Sequence, residues 1–324
     1  MLKRLLVTAT LVAVITLTLG SLPRAVPAAK AATPYKIVFI AGIASDAFYI
    51  TMNHGAQAEA AKEGATVQFS GSPAAFSPST QLPYLNAAIA QKPDLILIAP
   101  TDKIALQDPI ARAVAAKIPV ILVDTTIGDP SIAVTTISSD NVLGGQKVAD
   151  ALADAIGKKG TVAVVSVSPG VSTTDERVAG FNTELAKTPD VKSLGVTYTG
   201  DDQTRANSVT KGLVAGHPDL AGVFATNVVT GDGVTAAARE LGLSGKLKLV
   251  EFDANPTQVE AVKAGTITAL VAQDPYHIGE LGVQYGIEYI NGKRDLAKHY
   301  GTGEAIITKD NVDSPDVKNY LYSK

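Results

Sequence analysis

The chain has 324 residues, 46% of them hydrophobic and 18% charged, a formal charge of −3, and no cysteine. Without cysteine there is no disulfide and no lipid-modified thiol behind a leader. Lysine and arginine are scattered, whereas a nucleic-acid partner requires them clustered against phosphates, so nucleic acid is not an expected partner.

The first residues divide as an export signal does, with Lys3 and Arg4, a largely apolar run from Leu5 to Leu19, and small residues ending in Ala29-Lys30-Ala31. Cleavage is expected before Ala32, so residues 1–31 read as a signal peptide. The apolar run falls short of the roughly 20 residues that span a bilayer, and Thr8, Thr10, Thr16 and Thr18 interrupt it, which argues against an anchor. Removing Lys3, Arg4, Arg24 and Lys30, with no acid in that segment, takes the charge to about −7. A soluble periplasmic or secreted protein remains, long enough for two lobes of ordinary domain size.

Lys36–Ala41 reads as the first strand, and Asp46 stands where an N-cap belongs before a helix carrying Phe48, Met52, Ala56 and Ala60, closed by Gly64. Thr66–Ser70 follows as a strand, then a Gly/Ser/Pro loop through Pro78 and a helix to Ala90. The Leu95 strand, a helix with Ile110, Ala113 and Val114, the Ile118 strand and the run Ser131–Ile137 complete a first series. A second begins with a helix from about Leu143 to Ile156. The Thr161 strand, a helix over Arg177 to Ala186, a strand near Val196–Tyr198 and a helix to Ala215 continue it. The Gly222 strand, a helix to Leu241, the Leu247 strand, a helix to Ala264 and the Ala269 run follow. A further helix, Ile278 to Ile290, precedes Ala305–Thr308 and a polar tail. Strands alternating with helices at this spacing predict parallel sheets with crossover helices, an α/β fold.

Several strands are apolar without alternation, as strands buried on both faces are, and end abruptly in polar residues: Asp102, Asp124, Asn227, Asp253, Gln273. In open α/β sheets ligands bind at the carboxyl ends of strands, so this row is a candidate polar pocket. Asp124 and Asp253 suit a fork that accepts two hydroxyls, or the capping of the next turn. Thr173-Thr-Asp-Glu176 has capping-box spacing and would place Arg177 in a first helical turn, where a cation opposes the helix dipole. Arg177 is then either neutralised by Asp175 and Glu176 or directed into the cleft. Phe48 and Tyr49 offer flat apolar faces for a ligand to stack on, or core packing, and adjacent helical positions point about 100° apart, so one of them is expected to face the core. Asn227 and Gln273 can both donate and accept, for ligand hydroxyls or for ordinary turns. Asp46 serves as cap, ligand group or both.

Motifs for other chemistry fail. Gly231-Asp-Gly233-Val-Thr-Ala236 fits GxGxxA, yet the glycines do not directly follow the strand ending at Ala225, so a dinucleotide site is not expected. No P-loop or GxSxG elbow is present, and His54, His217, His277 and His299 lack metal-ligand spacing. No cofactor, metal or catalytic residue is expected.

Ser45–Tyr49, Pro100-Thr101-Asp102, Val120–Asp124, Ser138–Gly145, Glu176–Phe181, His217-Pro-Asp219, Phe252-Asp253 and Ala272-Gln273, taken in order, resemble the ribose-binding type of periplasmic solute-binding protein. That family feeds sugars to ABC transporters and shares its fold with the ligand-binding part of the lac repressor. The resemblance implies two doubly wound parallel-sheet lobes joined by a three-crossing hinge, 32–138 with 274–304 and 139–273 with 305–324. It implies ligand residues Asp46, Phe48, Tyr49, Asp124, Thr125, Arg177, Asn227, Asp253 and Gln273. It further implies a monomer that binds a sugar or polyol without turnover, with the permease and ATPase subunits of an ABC importer as partners. The family commonly has arginine at the position of Thr125 and asparagine at that of Asp46. Both departures make the pocket more negative and favour a neutral sugar, a polyol or an amino sugar over an anion. Two other classes use the same features: a sensor subunit for another small polar ligand such as an autoinducer, and an exported α/β enzyme acting on a sugar through Asp124, Asp253 and Arg177.

Overall fold

The computed structural model describes residues 34–322 apart from Ala74, and the expected signal peptide lies outside the described residues. Among these, two six-stranded sheets form the frame of two α/β lobes. The first contains β1 (Tyr35–Ile43), β2 (Ala65–Ser72), β3 (Leu95–Ile98), β4 (Val120–Val123), β5 (Thr136–Ser139) and β11 (His299–Thr302), in the order β11-β5-β4-β3-β1-β2 and parallel throughout. The second contains β6 (Gly160–Ser166), β7 (Val191–Tyr198), β8 (Leu220–Ala225), β9 (Lys248–Phe252), β10 (Ala269–Gln273) and β12 (Glu304–Thr308), in the order β12-β10-β9-β8-β6-β7, with only β12 antiparallel to its neighbour. The chain passes between the sheets after β5, after β10 and between β11 and β12.

The helices are α1 (Ala47–Lys62), α2 (Pro78–Gln91), α3 (Gln107–Ala115), α4 (Asn141–Ala155), α5 (Ser172–Leu185), α6 (Gln203–Gly216), α7 (Val228–Glu240), α8 (Pro256–Lys263) and α9 (Pro275–Ile290). They cover both faces of each sheet, which explains the unbroken apolar runs. In the first lobe Phe39, Leu97 and Val123 lie in one core with Met52, Ala56 and Ile278, and Ile40, Ile98 and Leu122 lie in another with Leu85, Ile110 and Ala113. The elements lie where expected, but some ends differ: Pro130–Ile132 is a 3-10 turn and β5 starts only at Thr136, β7 starts at Val191 rather than near Val196, and α5 starts at Ser172 rather than Arg177. Two elements were not expected at all: β11, a short polar edge strand with no apolar run to betray it, and the ordered tail. Val312 and Val317 of that tail are buried in the second lobe's core, and a 3-10 turn over Pro315–Tyr320 leads to a buried Tyr322.

The capping box expected at Thr173–Glu176 does not form. Helix α5 begins at Ser172 and has no side-chain cap, so Arg177 stands in its second turn. Glu176 accepts instead from Asn141 Nδ2 at 3.3 Å, and Asp175 from the backbone N–H of Gly170 at 3.1 Å, so neither is left to close a box. The boxes present are Asn227 with Thr230 and Asn255 with Gln258.

Each lobe also has a helix pair that crosses on reciprocal glycines. A Cβ on Gly145 of α4 would lie 2.0 Å from the Arg177 carbonyl oxygen of α5, and one on Gly180 of α5 the same distance from the Val142 carbonyl oxygen of α4. In the first lobe Gly55 of α1 and Gly279 of α9 face Tyr276 and Met52 in the same way, each with 1.9 Å to the opposing carbonyl oxygen. Gly231 and Gly233, which carried the GxGxxA match, lie inside α7, where Glu251 and Gln258 fill the space beside Gly231. Their amides serve the helix, and no phosphate loop exists there.

Glu251 sits in the middle of β9, fully buried, and accepts from Thr235 Oγ1 at 2.7 Å and Gln258 Nε2 at 3.1 Å. Burial pushes its carboxyl up to about 7. A carboxyl raised by folding contributes stability that is complete below its unfolded value near 4 and is lost as the pH rises through 7. Glu251→Gln should therefore be more stable than wild type at pH 8, by about 1–2 kcal/mol after the weaker neutral hydrogen bonds are allowed for, but should melt together with wild type at pH 4.5. Calorimetric scans at the two pH values check this, and an equal difference at both would contradict it.

Candidate functional site

All nine sequence-derived residues line one cavity of about 420 Å³, counting its open mouth, between the carboxyl ends of the two sheets. The first lobe contributes Asp46, Phe48 and Tyr49 from the start of α1, and Asp124 and Thr125 from the end of β4. The second contributes Arg177 from α5, Asn227 before α7, Asp253 after β9, and Gln273 closing β10.

Backbone conformation explains why the carboxylates converge. Six described non-glycine residues have positive φ; Lys92, Lys117 and Lys158 sit at helix ends, and the others are Asp124 (63°), Asp201 (59°) and Asp253 (79°). Aspartate tolerates this left-handed region better than most residues, and such conformations concentrate at functional sites. Each of the three turns the chain sharply at a strand end and leaves its side chain buried against the cavity.

The polar groups divide into those the protein already satisfies and those it does not. Tyr49 Oη donates to Asp124 Oδ2 at 2.9 Å. Asp253 is held by three donors: Val228 N–H on Oδ2 at 2.9 Å, and Gln273 Nε2 at 2.7 Å and Tyr322 Oη at 2.8 Å on Oδ1. A two-hydroxyl fork is therefore not open at Asp253, because three of its about four lone-pair sites are occupied. Arg177 donates through Nε to Asn141 Oδ1 at 2.9 Å and through Nη1 to the Thr226 carbonyl at 2.7 Å, with its guanidinium 3.9 Å above the Phe252 ring. Asn227 gives Nδ2 to Asp201 at 2.8 Å and takes the Thr230 N–H on Oδ1 at 3.1 Å, and so acts both as a cap and as a cavity wall. Asp46 likewise accepts from Phe48 N–H at 2.9 Å and lines the cavity. Two buried atoms, Thr125 Oγ1 and Gln273 Oε1, have no hydrogen-bond partner. The Gln273 amide is fixed in orientation because a carboxylate can only accept from it.

Phe48 and Tyr49 both line the cavity, and both also belong to the first lobe's buried core, where only one of them was expected. Their rings meet edge to face with centroids 5.1 Å apart, and the start of α1 ends at the cavity wall, so both projections reach it. Phe76 adds a third aromatic wall. A Cβ on Gly42 would lie 2.4 Å from the Phe76 ring and 2.8 Å from Tyr49 Oη, so glycine there leaves room for both.

Burial raises the carboxyl of Asp124 to about 7, against the lowering effect of Arg177, and that of Asp201 to about 6. Burial also lifts Asp46 well above the usual carboxylate range, although its Phe48 hydrogen bond opposes this. Asp46, Asp124, Asp201 and Asp253 face a single guanidinium, a net −3 if all were ionised.

Three bonds join the lobes at the cavity rim: Lys103 N–H to the Gly170 carbonyl at 3.2 Å, Lys103 Nζ to Asp175 at 3.3 Å, and Thr126 N–H to Ser172 Oγ at 2.9 Å. Sequence reasoning missed Phe76, Val167, Val171, Thr173, Thr174 and Asp201 as lining residues. Asp201 was within its reach, since it follows the Val196–Tyr198 strand as Asp124 and Asp253 follow theirs. Phe76, a lone aromatic among Gly, Ser, Pro and Ala, was a second available signal.

The profile of the periplasmic binding protein domain matches residues 37–294. The chain belongs to the periplasmic binding protein family. Its relatives include the ribose import binding protein RbsB of Bacillus subtilis, 33% identical over 251 residues that cover 76% of this chain and 79% of that one. The fold is similar to that of an ABC transporter solute-binding protein from Agrobacterium vitis bound with α-D-tagatopyranose. The TM-score is 0.87 at 43% identity, covering 90% of this chain and all of that one. A second solute-binding protein from Agrobacterium vitis, with bound D-fucose, gives a TM-score of 0.85 at 31% identity, covering 89% of this chain and all of that one. This periplasmic binding protein is of the ribose-binding type, and its two α/β lobes enclose the cavity at the strand ends, where the ligand crevice of doubly wound sheets is formed.

Proposed function

We propose that the protein is an extracytoplasmic solute-binding protein that captures a small neutral sugar or sugar alcohol by lobe closure and delivers it, unaltered and as a monomer, to the permease and ATPase subunits of an ABC importer. The residues before Ala32 direct export to the periplasm. The lobes divide at Ser138, Gln273 and Glu304, giving residues 32–138 with 274–304 and 139–273 with 305–324.

One observation carries the reading. Polar side chains from seven separate strand and helix ends face one cavity walled by Phe48, Tyr49 and Phe76, and two of their buried atoms, Thr125 Oγ1 and Gln273 Oε1, are left without partners. Leaving such an atom unpaired costs about 1–3 kcal/mol, which a ligand hydroxyl would recover. The aromatic faces suit the C–H patches of a sugar ring. Its relatives support the class, since they include ribose, allose and xylitol binders.

The charge of the site supports neutrality. An anion about 4 Å from an uncompensated carboxylate is disfavoured by on the order of 4 kcal/mol at an effective dielectric near 20, and one guanidinium does not balance four aspartates. An amino sugar is compatible with the same walls. Calorimetric titration at pH 8 with D-tagatose, D-ribose, D-allose and xylitol should find at least one saturable binder. The sugar acid or phosphate of that binder should bind at least tenfold more weakly. No heat from any neutral probe would contradict the class, and tighter binding of the anion would contradict the charge argument.

A further inference from the structure

The C-terminal tail, polar in its sequence pattern, reaches the site. Backbone N–H of Tyr322 donates to the Ala254 carbonyl at 3.0 Å, which ties the tail to the segment directly after Asp253. The Tyr322 hydroxyl donates to Asp253 Oδ1 at 2.8 Å and accepts from the backbone N–H of Gln273 at 3.3 Å. The residue is 6% exposed, and its ring centroid lies 5.7 Å from that of Phe48, which belongs to the other lobe. One side chain thus touches Asp253, Gln273 and Phe48, all cavity-lining residues, without lining the cavity itself.

We infer that Tyr322 is a positioning residue of the binding site: its hydroxyl locks the Asp253 carboxylate so that a single acceptor position is left for the ligand. This rests on the binding reading above. An ionised carboxylate offers about four acceptor positions, and Val228, Gln273 and Tyr322 occupy three of them. Without the tyrosine hydroxyl, Oδ1 keeps only the Gln273 amide and Oδ2 only the Val228 N–H, so a second acceptor position opens and the carboxylate is held less rigidly. Preorganisation of the remaining acceptor is lost, and discrimination among hydroxyl arrangements falls with it.

Tyr322→Phe keeps the ring against Phe48 and removes only the hydroxyl. In the ligand-free protein the Asp253 side-chain carboxyl resonance, followed by carbon-13 NMR, should shift in the variant. The melting temperature at pH 8 should stay close to wild type. Affinity for whichever of D-tagatose, D-ribose, D-allose and xylitol binds wild type most tightly should fall roughly five- to tenfold, with a smaller loss for the weaker probes, so that the spread of affinities across the panel narrows. An unshifted Asp253 resonance, or a wild-type affinity and spread in the variant, would overturn the inference. If wild type binds none of the neutral probes, the binding reading fails by itself, and the carboxyl resonance still decides whether Tyr322 sets Asp253.

Discussion

Asp124→Asn should weaken binding of a neutral sugar at pH 8 by about 1.5–3 kcal/mol, roughly 10- to 150-fold, and leave the fold intact. The carboxylate has one donor from the protein, Tyr49, and lies at the cavity wall beside the unpartnered Thr125 hydroxyl. Its other acceptor positions are those that ligand hydroxyls would fill with charge-assisted bonds. Asparagine keeps an oxygen for Tyr49 and tolerates the φ of 63°, whereas alanine would be strained there. Because burial holds Asp124 near 7, lowering the pH to 5.5 protonates the wild-type group, and the two proteins should converge. Equal affinities at pH 8 would remove Asp124 from the site. Asp253→Asn should cost binding at the lower end of that range and stability as well, because its amide would face one of three donors already in place.

The second large effect concerns a residue that touches no ligand. Gly145→Ala should destabilise the protein by about 3 kcal/mol, because a methyl 2.0 Å from the Arg177 carbonyl oxygen forces α4 and α5 apart. For a chain of this size that is a fall in melting temperature of roughly 5–10 °C. The displaced carbonyl belongs to the arginine whose side chain enters the cavity, so sugar affinity should fall with it. Gly180→Ala, which meets the Val142 carbonyl oxygen of α4 at the same distance, should behave alike. Gly212→Ala in α6 is the control: nothing lies within 4 Å of its added methyl, and reduced unfolded-state entropy should stabilise it by about 0.4–1 kcal/mol. Wild-type melting of the Gly145 variant would show that the crossing has slack.

Much of this architecture is legible in the residues themselves. Leu95–Ile98 and Val120–Val123 read as doubly buried strands because helices cover both of their faces, and Asp46 reads as a cap because its side chain does accept from Phe48. Local pattern fails where partners are distant. Thr173–Glu176 has the spacing of a capping box, but Asn141 claims Glu176 and Gly170 claims Asp175, and neither bond is visible along the chain. The two-hydroxyl fork at Asp253 fails for the same reason, since two of its three donors, Val228 and Tyr322, are 25 and 69 residues away. His299–Thr302 forms a strand only because β5 offers it an edge, and Tyr322 is buried only because the second lobe anchors the tail through Val312 and Val317.

The left-handed aspartates bear on how such a site changes its ligand over evolutionary time. At Asp124, Asp201 and Asp253 the backbone excludes most side chains, so the single-nucleotide neighbours that keep the fold are essentially asparagine and glycine. Adaptation to a new sugar, in nature or in a selection experiment, therefore has few moves at these three positions. The freedom lies beside them, at Thr125, Phe76, Thr173 and Thr174, where φ is ordinary and the side chains still face the cavity. Libraries built there should return folded variants with altered preference far more often than libraries built on the aspartates.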